Sequence, residues 1–525
     1  MKKWPFDQIF RLVIACCCLV VIGVLSVTNL PLMSKPVDRF LRGKTTFEEM
    51  TKTIASGLVS DDLAEKDGFI NLNGLLARVA GRRVYNDVVR LNNGMLTRTE
   101  TIKPSQLTSA ADKIVALADW LGGKGTPFLY VMPPLKPDVA GEVLPTGVGN
   151  EINEDATVFL DAMASRGVSV LDLRSDLSAN AGQLDMYQYY RTDHHWSPDG
   201  AIAGYDLIMR RMKLMDSSLT AAHTAVVQWD RHLIERWFLG SIGRRVGSLY
   251  AGVDPLVWYT PRFETEMSCA VPDRRYFYIG SFEQANIRER FIEKADYFHM
   301  NPYCVYIGGD YPLVKHRNAK APNRCRVLII KDSYALPVQA FLSTEFMELD
   351  VIDPRHYDWS SIAEYCEWTQ PDFVVMLSST TQAVKLTNTV VGIKKGSVNV
   401  TTGDWKPCLE QASVPLAAKQ AAYNYARLGV KLEHGKTYRF SCADIIPQEG
   451  DAAGVSIILY DATEKTLAKC DLVDIGYCHE QGGAEWTFRV PSDDHEYQLL
   501  LYAGVHGATV GIGLTYTGVT VSVLE

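Results

Sequence analysis

Short apolar runs alternate with stretches of helical periodicity over the first two thirds of the chain. Five runs have the length of buried strands: 127–132, 168–173, 327–330, 346–352 and 372–377. Between them, apolar side chains recur at helical spacing at 105–122, at 153–165 with Asn153 as the expected N-cap, and at 360–369. Strands separated by helices are typical of a parallel sheet with helices on both faces. The pattern therefore predicts an α/β fold.

The pattern changes after about residue 385, where alternating apolar and polar positions replace the helical spacing. The alternating runs lie at 437–442, 454–460, 485–490, 497–502, 513–516 and 519–524. Clusters of turn-forming residues separate them, as in antiparallel sheets. We therefore expect residues 385–525 to form a β-sandwich resembling a carbohydrate-binding module. Trp405 and Trp486 are candidates for stacking on a sugar, although core packing is the commoner use of any single aromatic residue.

The N-terminal stretch is uncharged and largely apolar from residue 12 to residue 34. It is long enough to cross a bilayer, and basic residues flank it on both sides, so charge sets its orientation only weakly. No small-x-small cleavage site stands out after it, which favours an uncleaved signal-anchor. We therefore expect an N-terminal transmembrane helix at 9–33 and a stalk at 34–66. The globular part would lie outside the cytoplasm on a single-pass anchor.

The α/β domain is predicted to occupy residues 67–384. Its sequence between 216 and 320 is less regular and rich in aromatic residues, with strand-like pieces at 275–279 and 305–307. We interpret residues 216–320 as an irregular insertion that lines a substrate site.

Asp193 and His195 stand two residues apart, directly before a strong helix start. Ser197 is a good N-cap and Pro198 suits the first helical position. Side chains two apart in an extended loop point the same way. A carboxylate beside an imidazole can orient a general base.

The same loop offers Asp193, His194 and His195 as metal ligands. Adjacent histidines are expected to point apart, and the sequence contains no second ligand cluster. We therefore expect no metal and no cofactor, and we expect His194 to be packed or hydrogen-bonded.

Ser333 is the best candidate for a nucleophile that such a base could activate. It follows the strand at 327–330, and Pro337 fits only near a helix start, so Ser333 is predicted to lie on a strand-to-helix turn. The N–H groups of Ser333 and Tyr334 would there face the hydroxyl and could stabilise an oxyanion. Alternatively, Ser333 only caps the helix, with Asp332 as a competing cap.

Ser333 and Lys136 both follow the end of a predicted strand. Ligands of parallel sheets bind beyond the carboxyl ends of the strands. We therefore expect both residues at the same edge of the sheet, where a site should form.

The composition is that of an ordinary globular protein, with 525 residues, 47% of them hydrophobic and 22% charged. The net charge of −8 argues against a nucleic-acid partner, which would favour a basic chain. Of eleven cysteines, eight lie outside the apolar N-terminal stretch. Their even number permits disulfides in an exported domain, and the absence of a Cys-x-x-Cys pair makes a zinc ribbon unlikely.

The segment Asp193-His194-His195-Trp196, followed by Ser-Pro-Asp-Gly-Ala, resembles the name-giving motif of the DHHW family. This family is related to the alginate O-acetylation proteins of the SGNH-hydrolase-like superfamily. Lys331-Asp332-Ser333-Tyr334 resembles the nucleophile turn of that group. Pro134-x-Lys136 at a strand end and Gln370-Pro371-Asp372 before the last strand also fit the resemblance to that group.

The resemblance implies an SGNH-like α/β fold over roughly residues 68–380. It implies that Ser333 is the nucleophile, His195 the base and Asp193 its orienter. Some alginate relatives also carry a C-terminal carbohydrate-binding β-sandwich. In such systems a membrane-bound acyltransferase can supply the acetyl group.

We therefore expect a membrane-anchored O-acetyltransferase or esterase that acts on a cell-surface or exported polysaccharide. The expected substrate-binding residues are Tyr334, Lys136, Trp196, Trp405 and Trp486. A catalytically silent glycan-binding or assembly protein is the alternative. A phosphodiester or sulfate-ester enzyme is a third option, which the absence of a metal-ligand cluster disfavours.

Overall fold

The computed structural model describes the chain in thirteen ranges: 30–59, 65–136, 144–149, 151–180, 188–271, 276–357, 361–386, 404–417, 423–447, 455–467, 473–475, 484–504 and 513–525. No helix in these ranges is long and apolar enough to span a bilayer. Only residues 30–33 of the predicted transmembrane segment fall within them. The anchor therefore stays a prediction.

Three helices and a small three-stranded sheet precede the main sheet. These elements are α1 (Leu30–Leu41), α2 (Phe47–Val59), α3 (Lys66–Val79), β1 (Val84–Tyr85), β2 (Val88–Arg90) and β3 (Leu96–Thr97). Strands β2 and β3 pair antiparallel around a turn in which Gly94 has a φ of +83°. A side chain would strain that conformation, which is why the turn uses glycine.

The middle of the chain alternates helices and strands. Up to residue 215 it contains α4 (Pro104–Gly122), β4 (Phe128–Met132), α5 (Ile152–Ala164), β5 (Ser169–Asp172), α6 (Leu173–Asn180) and α7 (Pro198–Met215). The next part contains β6 (Trp229–Phe238), α8 (Ser241–Val246), α9 (Ser248–Ala251), β7 (Asp254–Pro261), β8 (Met267–Val271), β9 (Tyr276–Gly280), α10 (Phe282–Asn286), α11 (Arg290–Glu293) and β10 (Leu313–Asn318). The last part contains β11 (Asn323–Lys331), α12 (Ala335–Leu342), β12 (Phe346–Ile352), α13 (Ile362–Thr369), β13 (Phe373–Leu377) and α14 (Thr380–Leu386). The predicted cap Asn153 is wrong, because α5 starts one residue earlier with Glu151 at its N-cap position.

One eight-stranded sheet organises this domain, in the order β5-β4-β13-β11-β12-β10-β8-β9. Its first five strands pair in parallel and correspond to the five apolar runs of the sequence. The other three pair antiparallel. The sheet is therefore mixed, which corrects the prediction of a parallel sheet.

The three antiparallel strands come from the segment that we expected to be an irregular insertion. Strand β10 was not predicted from the sequence because it carries the buried Lys315 and the half-buried Arg317, which are atypical of a core strand. Asp350 on the neighbouring β12 pairs with both, at 3.7 Å and 2.9 Å. The strand-like piece at 305–307 is also corrected, because Val305 ends a 3₁₀ helix, Pro302–Val305, and Tyr306 forms an isolated bridge with Ile287.

Apolar clusters cover both faces of the sheet. The adjacent residues Ile329 and Ile330 of β11 belong to opposite clusters, as the two-residue period of a strand requires. The first cluster includes side chains of α7 and α12, and the second includes side chains of α4, α5 and α13. The central strands are therefore buried on both sides, and their carboxyl ends open into loops.

The C-terminal part contains β14 (Trp405–Leu416), β15 (Tyr423–Arg427), β16 (Thr437–Cys442), β17 (Asp444–Pro447), β18 (Val455–Asp461), β19 (Thr466–Leu467), β20 (Val473–Ile475), β21 (Ala484–Arg489), β22 (Tyr497–Gly504) and β23 (Leu514–Leu524). They form two antiparallel sheets that share one apolar core. The two runs predicted at 513–516 and 519–524 are one strand, β23. It pairs first with β17 and then with β16.

The described cysteines include four free thiols: Cys304, Cys325, Cys366 and Cys408. Cys470 and Cys478 lie outside the described residues.

Helix α7 starts as its sequence predicts and carries Trp196 at its entrance. Ser197 is the N-cap, its hydroxyl accepts the N–H of Gly200 at 3.4 Å, and Pro198 is the first helical residue. Trp196 is fully buried against the helix. A Cβ atom on Gly204 would lie 2.7 Å from the Trp196 ring, so only glycine allows this approach.

Replacing Gly204 by valine should therefore destabilise the domain. Forcing a branched side chain into this contact should lower the free energy of unfolding by about 1–3 kcal/mol. Thermal unfolding followed by circular dichroism measures the effect. Gly122→Val is the matched control, since no atom lies within 4 Å of a Cβ built on Gly122. Equal losses in the two variants would refute the close contact.

Candidate active site

Asp193, His195 and Ser333 form a continuous chain of hydrogen bonds. The Nε2 atom of His195 lies 2.7 Å from the Ser333 hydroxyl, and its Nδ1 atom lies 2.6 Å from an oxygen of Asp193. With the ring proton on Nδ1, the imidazole donates to the carboxylate and accepts the serine hydroxyl proton. The geometry is that of a base held by an acid and directed at a nucleophile.

Several groups stabilise the negative charge of Asp193. Its Oδ1 also accepts the N–H of His195 at 3.1 Å, and its Oδ2 accepts the N–H of Ser241 at 2.6 Å. Burial alone would raise the pKa of Asp193, but the two neighbouring imidazoles and the Ser241 N–H outweigh it and hold that pKa well below its usual range. Asp193 is therefore ionised at neutral pH.

Gly240 and Ser241 of the insertion complete the loop around Asp193, and the sequence analysis missed their role. A Cβ on Gly240 would lie 2.4 Å from the Asp193 Cβ and 2.6 Å from its Cα. The backbone at Gly240 has a φ of −68°, which any residue can adopt. The glycine is therefore required by space and not by conformation. A Gly-Ser pair before a short helix was the only sequence signal.

Ser333 lies on the turn between β11 and α12, as its sequence predicts. Asp332 holds this turn, because its Oδ1 accepts the N–H of Tyr334 at 2.9 Å and its backbone carbonyl accepts the N–H of Ala335. Its Oδ2 accepts the N–H of Ser379 at 2.8 Å. The N–H of Tyr334 is thus already bound, which corrects its predicted role as an oxyanion donor.

Asp332 is fully buried, and burial raises its pKa although these hydrogen bonds oppose the shift. It links the end of β11 to Ser379, which follows the end of β13.

Tyr334 and Trp196 connect the nucleophile turn to the histidine loop. The Tyr334 hydroxyl donates to the carbonyl of His194 at 2.7 Å, and the Trp196 indole N–H donates to the carbonyl of Tyr334 at 2.9 Å. Tyr334 lines the cleft, as expected of a substrate-binding residue. Trp196 has no exposed surface, which corrects its predicted contact with substrate. It packs the two loops together.

A cleft of about 360 Å³ opens in front of Ser333. Polar and charged side chains line most of it, among them Arg98, Glu100, Ser241, Arg245, Gln382 and Lys385. Ser333, Tyr334, Lys136 and His194 also belong to its wall. The nucleophile is therefore accessible to a polar substrate.

Lys136 reaches the cleft wall but is almost fully buried. Its ammonium group donates to the carbonyls of Leu96 and Arg191, at 2.8 Å and 3.2 Å. Burial lowers the pKa of Lys136 to about 8. These bonds connect the hairpin at β3 to the loop that leads into Asp193. Lys136 therefore holds two segments next to the site together.

Lys331, the first residue of the nucleophile motif, is buried in an ion cluster. Its ammonium group contacts the carboxylates of Asp310 and Asp353. Arg355 pairs with the same two carboxylates. This cluster anchors the end of β11, and with it the turn that carries Ser333, to the insertion.

Trp405 is not among the described residues that line this cleft. Trp405 and Trp486 belong to β14 and β21, which stand at opposite ends of the order β14-β23-β16-β21 in one sheet of the sandwich. Trp405 is half-buried, and the guanidinium of Arg439 lies 4.1 Å from its ring centre. The side chain of Trp486 lies outside the described residues. Sugar binding by either residue stays a prediction.

The expectation that His194 and His195 point apart is wrong. Their ring centres are 3.7 Å apart, and ligand atoms of Asp193, His194 and His195 lie within 4.8 Å of one another. Ligands of one tetrahedral ion at about 2.0–2.2 Å stand roughly 3 Å or more from each other. The 2.6 Å between His195 and Asp193 is instead a hydrogen-bond distance. As folded, Asp193 and His195 are hydrogen-bonded to each other, and His194 bonds to the hydroxyl of Ser241.

His194 is half-exposed at the cleft, where its Nδ1 lies 3.0 Å from the Ser241 hydroxyl. Desolvation and the neighbouring His195 lower the pKa of His194. Its ring is therefore neutral near pH 7 and hydrogen-bonded, as the sequence analysis expected.

Gly240→Ala should reduce the reactivity of Ser333. The added methyl group displaces Asp193 and with it His195. A misplacement of about 1 Å in a catalytic group lowers the rate roughly a hundredfold. The rate at which a sulfonyl fluoride labels Ser333, measured by mass spectrometry, reports it. Gly429→Ala is the control, since no atom lies within 4 Å of its Cβ position. Unchanged labelling of Gly240→Ala would refute the steric argument.

One family model matches part of the chain. Residues 93–236 match the family model of the SGNH hydrolase-like domain, acetyltransferase AlgX. The match includes Asp193 and His195 and ends before Ser333. No curated protein matches the chain.

Several solved structures are similar to parts of this chain. Bacillus cereus PatB1 is 23% identical, covers 55% of this chain and 94% of its own, and has a TM-score of 0.47. A DHHW family protein from Eubacterium siraeum is 19% identical, covers 59% of this chain and 97% of its own, and has a TM-score of 0.43. Pseudomonas aeruginosa AlgX is 12% identical, covers 85% of this chain and 96% of its own, and has a TM-score of 0.31. The resemblance predicted from the sequence is confirmed: over residues 93–236 this chain is similar to the SGNH hydrolase-like domain of the acetyltransferase AlgX.

Proposed function

We propose that the protein is a serine-dependent O-acetyltransferase or esterase that acts on a polysaccharide. The observation that carries the proposal is the 2.7 Å contact between Ser333 Oγ and His195 Nε2, with Asp193 on the other ring nitrogen. The match to an acetyltransferase family model over residues 93–236 supports the choice of an acetyl group. A polar cleft that holds this serine suits a carbohydrate acceptor.

The reaction would proceed in two steps that share an acetyl-serine intermediate. His195 takes the proton of Ser333 as the serine oxygen attacks the acetyl carbonyl of the donor. The donor oxygen then leaves and receives that proton from His195. A sugar hydroxyl then gives its proton to His195 as its oxygen attacks the acetyl carbonyl of the acetyl-serine. The bond from that carbonyl to Ser333 Oγ breaks, and His195 returns the proton to the serine oxygen. Water in place of the sugar makes the reaction ester hydrolysis.

Asp193 contributes by keeping the ring proton on Nδ1 and by stabilising the imidazolium that forms in each step. The negative charge on the carbonyl oxygen needs hydrogen-bond donors near Ser333. Within the described ranges, no acceptor takes the N–H of Ser333, whereas the N–H of Tyr334 is bound to Asp332. We assign the Ser333 N–H as one oxyanion donor.

The cellular setting belongs to the same proposal. A membrane anchor at 9–33 would hold the globular part outside the cytoplasm, next to cell-surface or exported polysaccharide. A membrane-bound acyltransferase would supply the acetyl donor, and the C-terminal sandwich would help to hold the glycan. Two antiparallel sheets with one apolar core are compatible with that role.

Ser333→Ala should abolish turnover of an acetyl ester. Loss of the nucleophile should lower kcat by roughly a thousandfold or more. Release of a chromogenic leaving group from an aryl acetate, with and without an oligosaccharide acceptor, measures hydrolysis and transfer together. Ser218→Ala, which removes an exposed hydroxyl bound to Asp216, is the control. A wild-type protein that binds glycan but shows no serine-dependent turnover would support the silent binding protein instead.

Asp193→Asn and His194→Ala should separate the contributions of Asp193 and His194 to kcat. The amide cannot hold the ring in the required tautomer, so Asp193→Asn should reduce kcat by roughly a thousandfold or more. His194 lines the cleft and contacts the ring of His195 but accepts no proton from Ser333, so the effect of its loss should stay within about tenfold. The same ester assay measures both. Equal effects would contradict the assignment of Asp193.

A further inference from the structure

Tyr303 stacks on the imidazole of His195. The two ring centres are 4.0 Å apart, and the ring planes differ by only 11°. Tyr303 is buried and belongs to the 3₁₀ helix Pro302–Val305 of the insertion. The ring of His194, with its centre 3.7 Å from that of His195, and the edge of Tyr334 at 5.0 Å also contact the imidazole. Of these three contacts only Tyr303 lies nearly parallel to it.

The hydroxyl of the same residue reaches the nucleophile turn. It lies 3.0 Å from the carbonyl oxygen of Ser333 and 3.2 Å from that of Tyr334, so one proton is shared between two acceptors. The indole N–H of Trp196 donates to the second of these carbonyls from its own side. Burial, with a smaller contribution from Asp193, raises the pKa of Tyr303 well above its usual value, so the hydroxyl stays a donor.

We propose that Tyr303 is a positioning residue that fixes His195 and Ser333 relative to each other. The inference rests on the proposed function, because it concerns the reactivity of the same serine. The bond to Asp193 holds one ring atom of His195 but leaves the ring free to tilt. The parallel face of Tyr303 restricts this tilt, and its hydroxyl holds the backbone from which the Ser333 side chain projects.

The insertion thereby becomes part of the reacting centre. It provides Ser241, whose N–H binds Asp193, and Tyr303, which contacts both His195 and the turn of Ser333. We expected this segment to line the substrate site. Its contacts show a second use, in which it holds Asp193, His195 and the turn of Ser333.

Two substitutions separate the contacts of Tyr303. Tyr303→Phe keeps the stacked ring and loses the hydroxyl, whereas Tyr303→Leu loses both. Tyr306→Phe is the matched control, because Tyr306 is a buried tyrosine of the same segment whose hydroxyl bonds to Tyr259 and not to the site. Circular dichroism and thermal unfolding give the folded fraction of each variant.

The rate at which phenylmethanesulfonyl fluoride labels Ser333, expressed per folded molecule, is the main readout. We expect Tyr303→Leu to lower it by roughly a hundredfold, because a misplaced base loses most of its effect. Tyr303→Phe should recover it to within about tenfold of wild type, and Tyr306→Phe should match wild type. With an aryl acetate, kcat should fall in parallel while KM stays within about threefold.

The outcomes distinguish this inference from the proposed function. Rapid labelling of Ser333 in wild type together with equal labelling in Tyr303→Leu overturns the role of Tyr303 and leaves the proposed function standing. Equal losses in Tyr303→Phe and Tyr303→Leu overturn the claim that the stacked ring positions the base. A wild-type Ser333 that reacts no faster than Ser218 overturns the proposed function, and the inference with it.

Discussion

The geometry of the site depends on the burial of one carboxylate, that of Asp193. A buried charge is expensive unless hydrogen bonds and an opposite charge compensate it. His195 supplies two of the compensating groups, and the N–H of Ser241 supplies a third from a distant part of the chain. The third bond requires Gly240 to approach Asp193 without a side chain. The acid, the base and the insertion therefore form one unit, and none of the three is positioned without the others.

The mixed sheet brings this unit to the nucleophile. Ser333 follows the end of the central strand β11, which lies between β13 and β12 in the sheet. Asp332 bonds to Ser379 beyond β13, and Lys331 pairs with Asp353 beyond β12, so the turn is fixed to both neighbouring strands. Tyr334 then bonds to the loop of His194. A rigid nucleophile turn thus meets a rigid base loop, which preorganises the contact between the hydroxyl and the imidazole.

The sequence predicts the parts of this arrangement that local rules determine. Apolar runs identify the five parallel strands, and Ser197 and Pro198 identify the start of α7, because these signals lie within a few residues. Side-chain partners across the fold carry no such signal. Strand β10 was missed because Asp350 compensates its buried Lys315. The predictions that Trp196 contacts substrate and that the Tyr334 N–H binds the oxyanion are wrong. Both groups have partners elsewhere in the fold, which only the tertiary contacts show. Tyr303 was one aromatic residue among many in an irregular segment.

Trapping the acetyl group on the protein is the most direct test of the hydrogen-bonded chain from Asp193 through His195 to Ser333. The purified enzyme would be mixed with an aryl acetate, quenched in acid within the first turnover, digested and analysed by mass spectrometry. We predict one acetyl group on the peptide that contains Ser333 in wild type, and its absence in His195→Ala. Two results would contradict the chain of hydrogen bonds as the source of reactivity. One is rapid release of the aryl group with no acetyl group on that peptide. The other is an acetylated peptide that forms in His195→Ala as fast as in wild type.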